Sequence, residues 1–167
     1  METADMVTEQ GSPLFRNWQM GRDCAAVSAL REAGAVILGK TVTTEFAATQ
    51  PRGTRNPYDL DRTPGGSSSG SAAAVGSGMI PGATASQVIG STIRPASYCG
   101  AFGFKPSVGG INRGGSFDNF SQSCTGVIAA NLTDTWLMAR TMSEKIGGDP
   151  GYPGLLGPSE LPGEKTP

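Results

Sequence analysis

Apolar positions Ala26, Val27, Leu30 and Ala33 recur at helical spacing behind Asp23, an N-cap residue type, and Gly34 stands where a left-handed residue ends a helix. Four consecutive apolar residues follow, Ala35, Val36, Ile37 and Leu38, and read as a buried strand. A helix followed by a continuously apolar strand predicts an α/β fold whose sheet is mixed, mostly parallel, and flanked by helices. Residues 49–63 are rich in Pro, Gly, Asn and Asp and predict a long surface connection, the kind of segment on which function is often carried. An alanine-rich run from Ser71 to Val75 predicts a short helix stopped by Gly78 and Pro81. Further on, Leu132, Trp136, Ala139 and Met142 keep helical spacing behind Asn131, and Gly147 and Gly148 end the pattern. The last nineteen residues hold five prolines and four glycines without periodicity. The expected organisation is therefore one domain over residues 1–148 and a Pro/Gly-rich tail over 149–167.

Composition changes this picture in three ways. Gly 25 and Pro 12 in 167 residues, against 37% hydrophobic residues, make much of the chain loop and turn. A net charge of -1 lacks the basic footprint of a nucleic-acid binder, and no apolar run reaches the roughly 18 residues of a membrane span. Three widely spaced cysteines, Cys24, Cys99 and Cys124, argue against a disulfide framework, and with an acidic start in place of a signal peptide they predict a cytoplasmic protein. Histidine is absent, which removes Ser-His-Asp and Cys-His catalysis and most zinc sites. No metal or organic cofactor is expected.

One literal motif match is set aside. Residues 34–41 satisfy the phosphate-loop pattern G-x-x-x-x-G-K-[ST], with Gly39, Lys40 and Thr41 closing it. A phosphate loop has a strand before it and a helix after it; here the helix comes first and the strand occupies the loop. A P-loop nucleotide-binding module is discriminated by the conformation of residues 35–38.

The run Gly65, Gly66, Ser67, Ser68, Ser69, Gly70 and Ser71 reads in isolation as a flexible linker. Its surroundings point elsewhere, because Ser91 follows Ser67 by 24 residues within Val88, Ile89, Gly90, Ser91, Thr92, Ile93, Arg94, Pro95 and Ala96, with Gly103, Phe104, Lys105 and Pro106 beyond. Together these stretches resemble the amidase signature family, and the resemblance continues upstream through Gly11, Ser12, Pro13, Arg22 and Asp23, residues 33–41, and Glu45 to Ala47. Downstream it extends through Gly147, Gly148, Asp149 and Pro150.

The resemblance implies a Ser, cis-Ser, Lys triad, with Ser91 as nucleophile and Ser67, beside an unusual cis peptide, as proton shuttle. It also implies an oxyanion hole from the backbone N–H groups of Val88, Ile89, Gly90 and Ser91, and hydrolysis of a small-molecule carboxamide through an acyl-serine. A hydroxyl both donates and accepts, so a second serine can relay the nucleophile's proton. Ala85 and Val88 depart from the family's pattern before the nucleophile turn. Arg94 reads as a structural ion-pair or capping residue. The family's base is a lysine in a Lys-Asp motif expected shortly before the stretch matched here by Thr3 to Met6. Lys40 and Lys105 match non-catalytic positions, and Lys40 reads as a surface lysine at a strand end. Two expectations stand side by side: an amidase, and a catalytically inactive piece of one whose exposed sheet edges promote self-association.

Overall fold

In the computed structural model, which describes residues 1–117 and 120–161, four helices and three strands form three layers. In chain order they are α1 (Ala25–Glu32), α2 (Ser69–Gly76), β1 (Gly82–Gln87), α3 (Ile93–Tyr98), β2 (Phe102–Phe104), β3 (Cys124–Ala129) and α4 (Leu132–Ile146). Strand β3 lies in the middle of the sheet, paired with β1 from Gly82↔Ala129 to Gln87↔Cys124 and with β2 from Phe102↔Ala129 to Phe104↔Val127. All six residues of β3 are buried, and its alternation sends side chains to opposite faces. Val127 joins Ala26, Val27, Leu30, Ala139 and Met142 from α1 and α4. Ile128 joins Ala72, Val75, Ala96 and Cys99, from α2 and the α3 region, on the other face. Each of these two side chains supplies about 1.5–3 kcal/mol of transfer free energy.

The helix-flanked α/β class agrees with the sequence, but the strand directions do not. Both ladders are antiparallel, not mostly parallel. The expectation rested on residues 35–38, and these do not join the sheet. Ala35 N–H donates to Leu30 O to close α1, and beyond it Val36 and Leu38 are 80% and 73% exposed in extended chain. The continuously buried strand exists, but it is β3, covered on both faces by helices although its neighbours run antiparallel to it.

Local signals were mostly legible. Gly34 adopts φ +89° just beyond α1, and Gly78 adopts φ +75° beyond α2. Asn131 caps α4 by accepting Asp134 N–H at 2.7 Å, and Gly147 (φ 68°) ends it. Leu132, assigned to that helix's packing face, is instead 53% exposed, and the buried face runs through Thr135, Ala139, Met142 and Ser143. Asp23 does not cap α1. Its Oδ1 accepts Ala4 N–H at 2.7 Å, while the first helical N–H, Ala25, donates to Gly114 O at 2.8 Å. Residues 149–161 contain no helix or strand but are tied down: Asp149 pairs with Arg113 at 2.7 Å, and Leu155 N–H donates to Ser143 Oγ at 2.7 Å. The tail's last residues, 162–167, lie outside the described residues.

All three cysteines are free and buried, and burial pushes the Cys99 thiol up from its ordinary range. A chromogenic disulfide reagent at neutral pH is therefore expected to react slowly with the native chain and to titrate three thiols at once in denaturant.

Candidate functional site

Two turns meet at the end of β1. The first, residues 65–68, leads into α2; the second, residues 88–92, joins β1 to α3. Hydroxyl-bearing residues stitch the first turn into place. Ser67 is 1% exposed, and its carbonyl accepts Thr44 N–H at 3.0 Å and Thr43 Oγ1–H at 2.9 Å. Gly70 N–H donates to Val42 O at 2.8 Å, and a Cβ at position 70 would stand 2.6 Å from Val42 N, so only glycine permits this approach of helix to extended chain. Ser71 Oγ reaches Thr84 O in β1 at 2.9 Å, and Thr41 Oγ1 shares a 2.9 Å hydrogen bond with Ser71 Oγ. The peptide between Gly66 and Ser67 is cis.

The second turn is held through its carbonyls. Ile89 O accepts Gln87 Nε2–H at 3.0 Å, Gly90 O accepts Arg94 N–H at 2.9 Å, and Ser91 O accepts Ser68 N–H at 3.1 Å. The last of these ties the two serine-bearing turns together. By contrast, the backbone N–H groups of Val88, Ile89, Gly90 and Ser91 donate to no acceptor among the described residues. Three tied carbonyls thus stand beside four backbone donors that are unengaged among the described residues.

The residues singled out from the sequence thus lie together. Ser67 is buried and Ser91 partly exposed, and neither hydroxyl hydrogen-bonds to another described residue, the other serine included. Arg94 is structural, as expected, but not through an ion pair or a cap: its Nε and Nη2 both donate to Gly66 O, at 3.1 and 2.7 Å. Substituting Arg94 by lysine removes this two-pronged contact and is expected to lower unfolding stability by about 1 kcal/mol in urea titration.

The lysines of the described residues are engaged elsewhere. Lys145 pairs with Glu32 at 2.9 Å, and Lys105 Nζ donates to Pro106 O at 2.6 Å. Lys40 is exposed, as expected of a surface lysine, although no strand ends at it. Its Nζ donates to Met1 O and, at 2.7 Å, to Thr8 Oγ1; desolvation lowers its pKa, opposed by the charges of Glu2, Cys24 and Asp5. Residues 41–44 after it form no helix, so the phosphate-loop match lacks the helix N-terminus that a phosphate requires.

Two contributors escaped the sequence reading. Gln87 uses its whole amide on the second turn, accepting Thr92 N–H and Ile93 N–H at 2.7 and 2.9 Å besides donating to Ile89 O. Ser68 supplies the N–H that joins the two turns. A polar side chain at the end of a partly buried strand, just before the second turn, was the available signal for Gln87.

Comparison with known proteins identifies the family. The model of the Amidase family matches residues 1–162. A glutamyl-tRNA(Gln) amidotransferase subunit of Thermobifida fusca (strain YX) is 43% identical over 155 residues, covering 89% of this chain and 30% of the relative. Among solved structures, the native peptide amidase of Stenotrophomonas maltophilia superposes with a TM-score of 0.81 at 32% identity, over 95% of this chain and 35% of that one. The corresponding glutamyl-tRNA(Gln) amidotransferase subunit of Thermotoga maritima gives 0.71 at 34% identity, over 87% and 33%. The chain spans between 24% and 32% of the length of the first curated relatives it matches. On the family match, the sequence identity and the shared fold together, the chain belongs to the Amidase family.

Proposed function

We propose that this chain carries the nucleophile side of a site that hydrolyses carboxamide C–N bonds through an acyl-serine. Ser91 Oγ attacks the carbonyl carbon, forming a C–O bond as the carbonyl π pair moves onto oxygen. Backbone N–H groups of the 88–91 turn, those of Gly90 and Ser91 foremost, receive that oxyanion. Ser67 takes the proton of Ser91 and gives its own to the leaving nitrogen; the C–N bond breaks and an amine or ammonia departs. Water then cleaves the ester, and the proton returns to Ser91. The observation that carries this reading is the turn itself, with the carbonyls of residues 89–91 hydrogen-bonded and the N–H groups of residues 88–91 unengaged among the described residues.

The base that drives Ser67 is not one of the described lysines, each of which is bonded elsewhere. That observation favours a second reading for the 167 residues by themselves, in which the nucleophile is present but idle until a neutral amine is supplied from outside them. Hydroxylamine separates acyl-serine chemistry from direct attack by water. A protein working through the ester transfers the acyl group to hydroxylamine and releases hydroxamate and amine together, whereas a direct hydrolase releases the free acid and the amine without hydroxamate.

The substrate class proposed is a small carboxamide. The relatives named as amidotransferase subunits support partner chains for this one as well. Free, buried cysteines support a reducing, cytoplasmic setting, and among the described residues no helix is long and apolar enough to cross a membrane. The outer strands β1 and β2 and the exposed apolar segment 35–38 supply edges for self-association.

A further inference from the structure

Gln87 is 5% exposed at the end of β1, and both ends of its amide are spent on the turn that follows. Oε1 accepts two backbone N–H groups, from Thr92 and Ile93, while Nε2 donates to the Ile89 carbonyl. The opposite placement of oxygen and nitrogen would set an NH₂ against two N–H donors and an oxygen against a carbonyl, so the contacts themselves fix which atom is which. A carboxylate at this position could keep the two accepted bonds but could not make the donated one.

The donated bond has a geometric consequence. The peptide between Ile89 and Gly90 is trans, the one cis bond among the described residues lying between Gly66 and Ser67, so its C=O and N–H point in opposite directions. With Ile89 O held on Gln87, Gly90 N–H is aimed away from Gln87, and it meets no acceptor among the described residues. The Ile89 side chain, 91% exposed, does nothing to hold this peptide by packing, and Gly90 has no side chain to do so. Among the described residues, the Gln87 amide is the group bonded to this peptide's carbonyl.

We propose that Gln87 is a positioning residue: its side-chain N–H fixes the Ile89–Gly90 peptide so that Gly90 N–H is presented to the oxyanion of the acyl-transfer transition state. The proposal rests on the site reading above and adds to it the device that aims the donor. It predicts a specific behaviour for Gln87→Glu. The ionised carboxylate repels Ile89 O and attracts Gly90 N–H, so the peptide rotates and the donor is lost. Protonation of that carboxyl restores an O–H donor and with it the original orientation.

The test uses the protein as its own cell makes it. Carboxamide hydrolysis is measured against pH for the wild type, Gln87→Glu and Gln87→Met, with a crystal structure of Gln87→Glu near neutral pH and thermal unfolding as the check on folding. The expected result is a rotated 89–90 peptide and a kcat lowered about 100-fold in Gln87→Glu, with KM changed by less than about three-fold. The ratio of Gln87→Glu to wild-type kcat is expected to climb as pH falls, a recovery that a merely structural role would not give. Gln87→Met, which neither donates nor titrates, is expected to lose kcat without any such recovery, and it carries the test alone should the glutamate variant fail to fold. An Ile89 carbonyl still facing residue 87 in Gln87→Glu overturns the proposal, as does a folded Gln87→Met with wild-type kcat. A wild-type protein whose hydrolysis survives Ser91→Ala overturns the site reading instead, and the oxyanion role of Gly90 falls with it even where the peptide rotates.

Discussion

Replacing Ser91 by alanine is expected to lower carboxamide hydrolysis by about 10⁶-fold, to the level left by transition-state binding alone. The side chain lies in a turn whose hydrogen bonds are all made by backbone atoms and by Gln87, so its removal takes away the proposed nucleophile and little else. Ser67→Ala is expected to act differently. Ser67 is buried, but it is held by its carbonyl, bonded to Thr43 and Thr44, so alanine keeps the turn. What disappears is the hydroxyl proposed to relay a proton, worth about 10² to 10⁴ in rate. The separation is read by steady-state kinetics alongside unfolding curves: both variants should retain wild-type stability to within about 0.5 kcal/mol while differing from each other in rate by at least about 100-fold. Equal losses in the two variants, or a loss explained by unfolding, would contradict the assignment of separate roles.

The largest effect on stability is expected at Gly76, on the last turn of α2. A Cβ there would stand 2.1 Å from the carbonyl oxygen of Cys99 and 2.9 Å from its Cβ. Cys99 is fully buried just past α3, and its oxygen is backbone, so it cannot swing aside as a side-chain tip could. Alanine would favour the helix by about 1 kcal/mol through propensity alone. The overlap opposes that by forcing α2 and α3 apart, and with them the cluster of Ala72, Val75, Ala96 and Ile128 that covers one face of the sheet. Overpacking of this kind costs typically about 1–3 kcal/mol, occasionally more, and the backbone contact places Gly76→Ala at the upper end, a net loss of about 2 kcal/mol. At roughly 2–4 °C per kcal/mol for a chain of this size, the thermal midpoint should fall by about 4–8 °C. Gly53→Ala is the control, since nothing lies within 4 Å of its Cβ position and its stability should move by less than about 0.5 kcal/mol. A Gly76→Ala midpoint equal to that of Gly53→Ala would show that α2 and α3 do not pack as described.

What the sequence disclosed, and what it did not, follows from the range of the interactions involved. Helix ends were legible because a cap or a left-handed glycine acts on its own neighbours: Gly34, Gly78, Asn131 and Gly147 all stand where expected. The clustering of Ser67 and Ser91 was legible from a family resemblance, not from periodicity or composition. Strand direction was not legible, because the apolar run 35–38 and the apolar run of β3 look alike along the chain, and only pairing partners distant in sequence decide which enters the sheet. Asp23 has the right side chain for a cap, yet its carboxylate serves Ala4, a contact across 19 residues. Gln87 went unread for the opposite reason. Its three partners, Ile89, Thr92 and Ile93, are close in sequence, but the bonds form only because the chain doubles back at a turn whose shape the residue types do not announce. Arg94 was placed correctly as structural while its actual partner, the Gly66 carbonyl 28 residues away, was out of reach.

Intact mass after incubation with a fluorophosphonate reads directly whether Ser91 is an activated nucleophile. In the protein as its own cell makes it, a single adduct is expected, mapped by peptide digestion to Ser91, absent from Ser91→Ala and formed far more slowly in Ser67→Ala. An adduct that persists in Ser91→Ala, or a wild-type protein that takes up none, would contradict that role for Ser91.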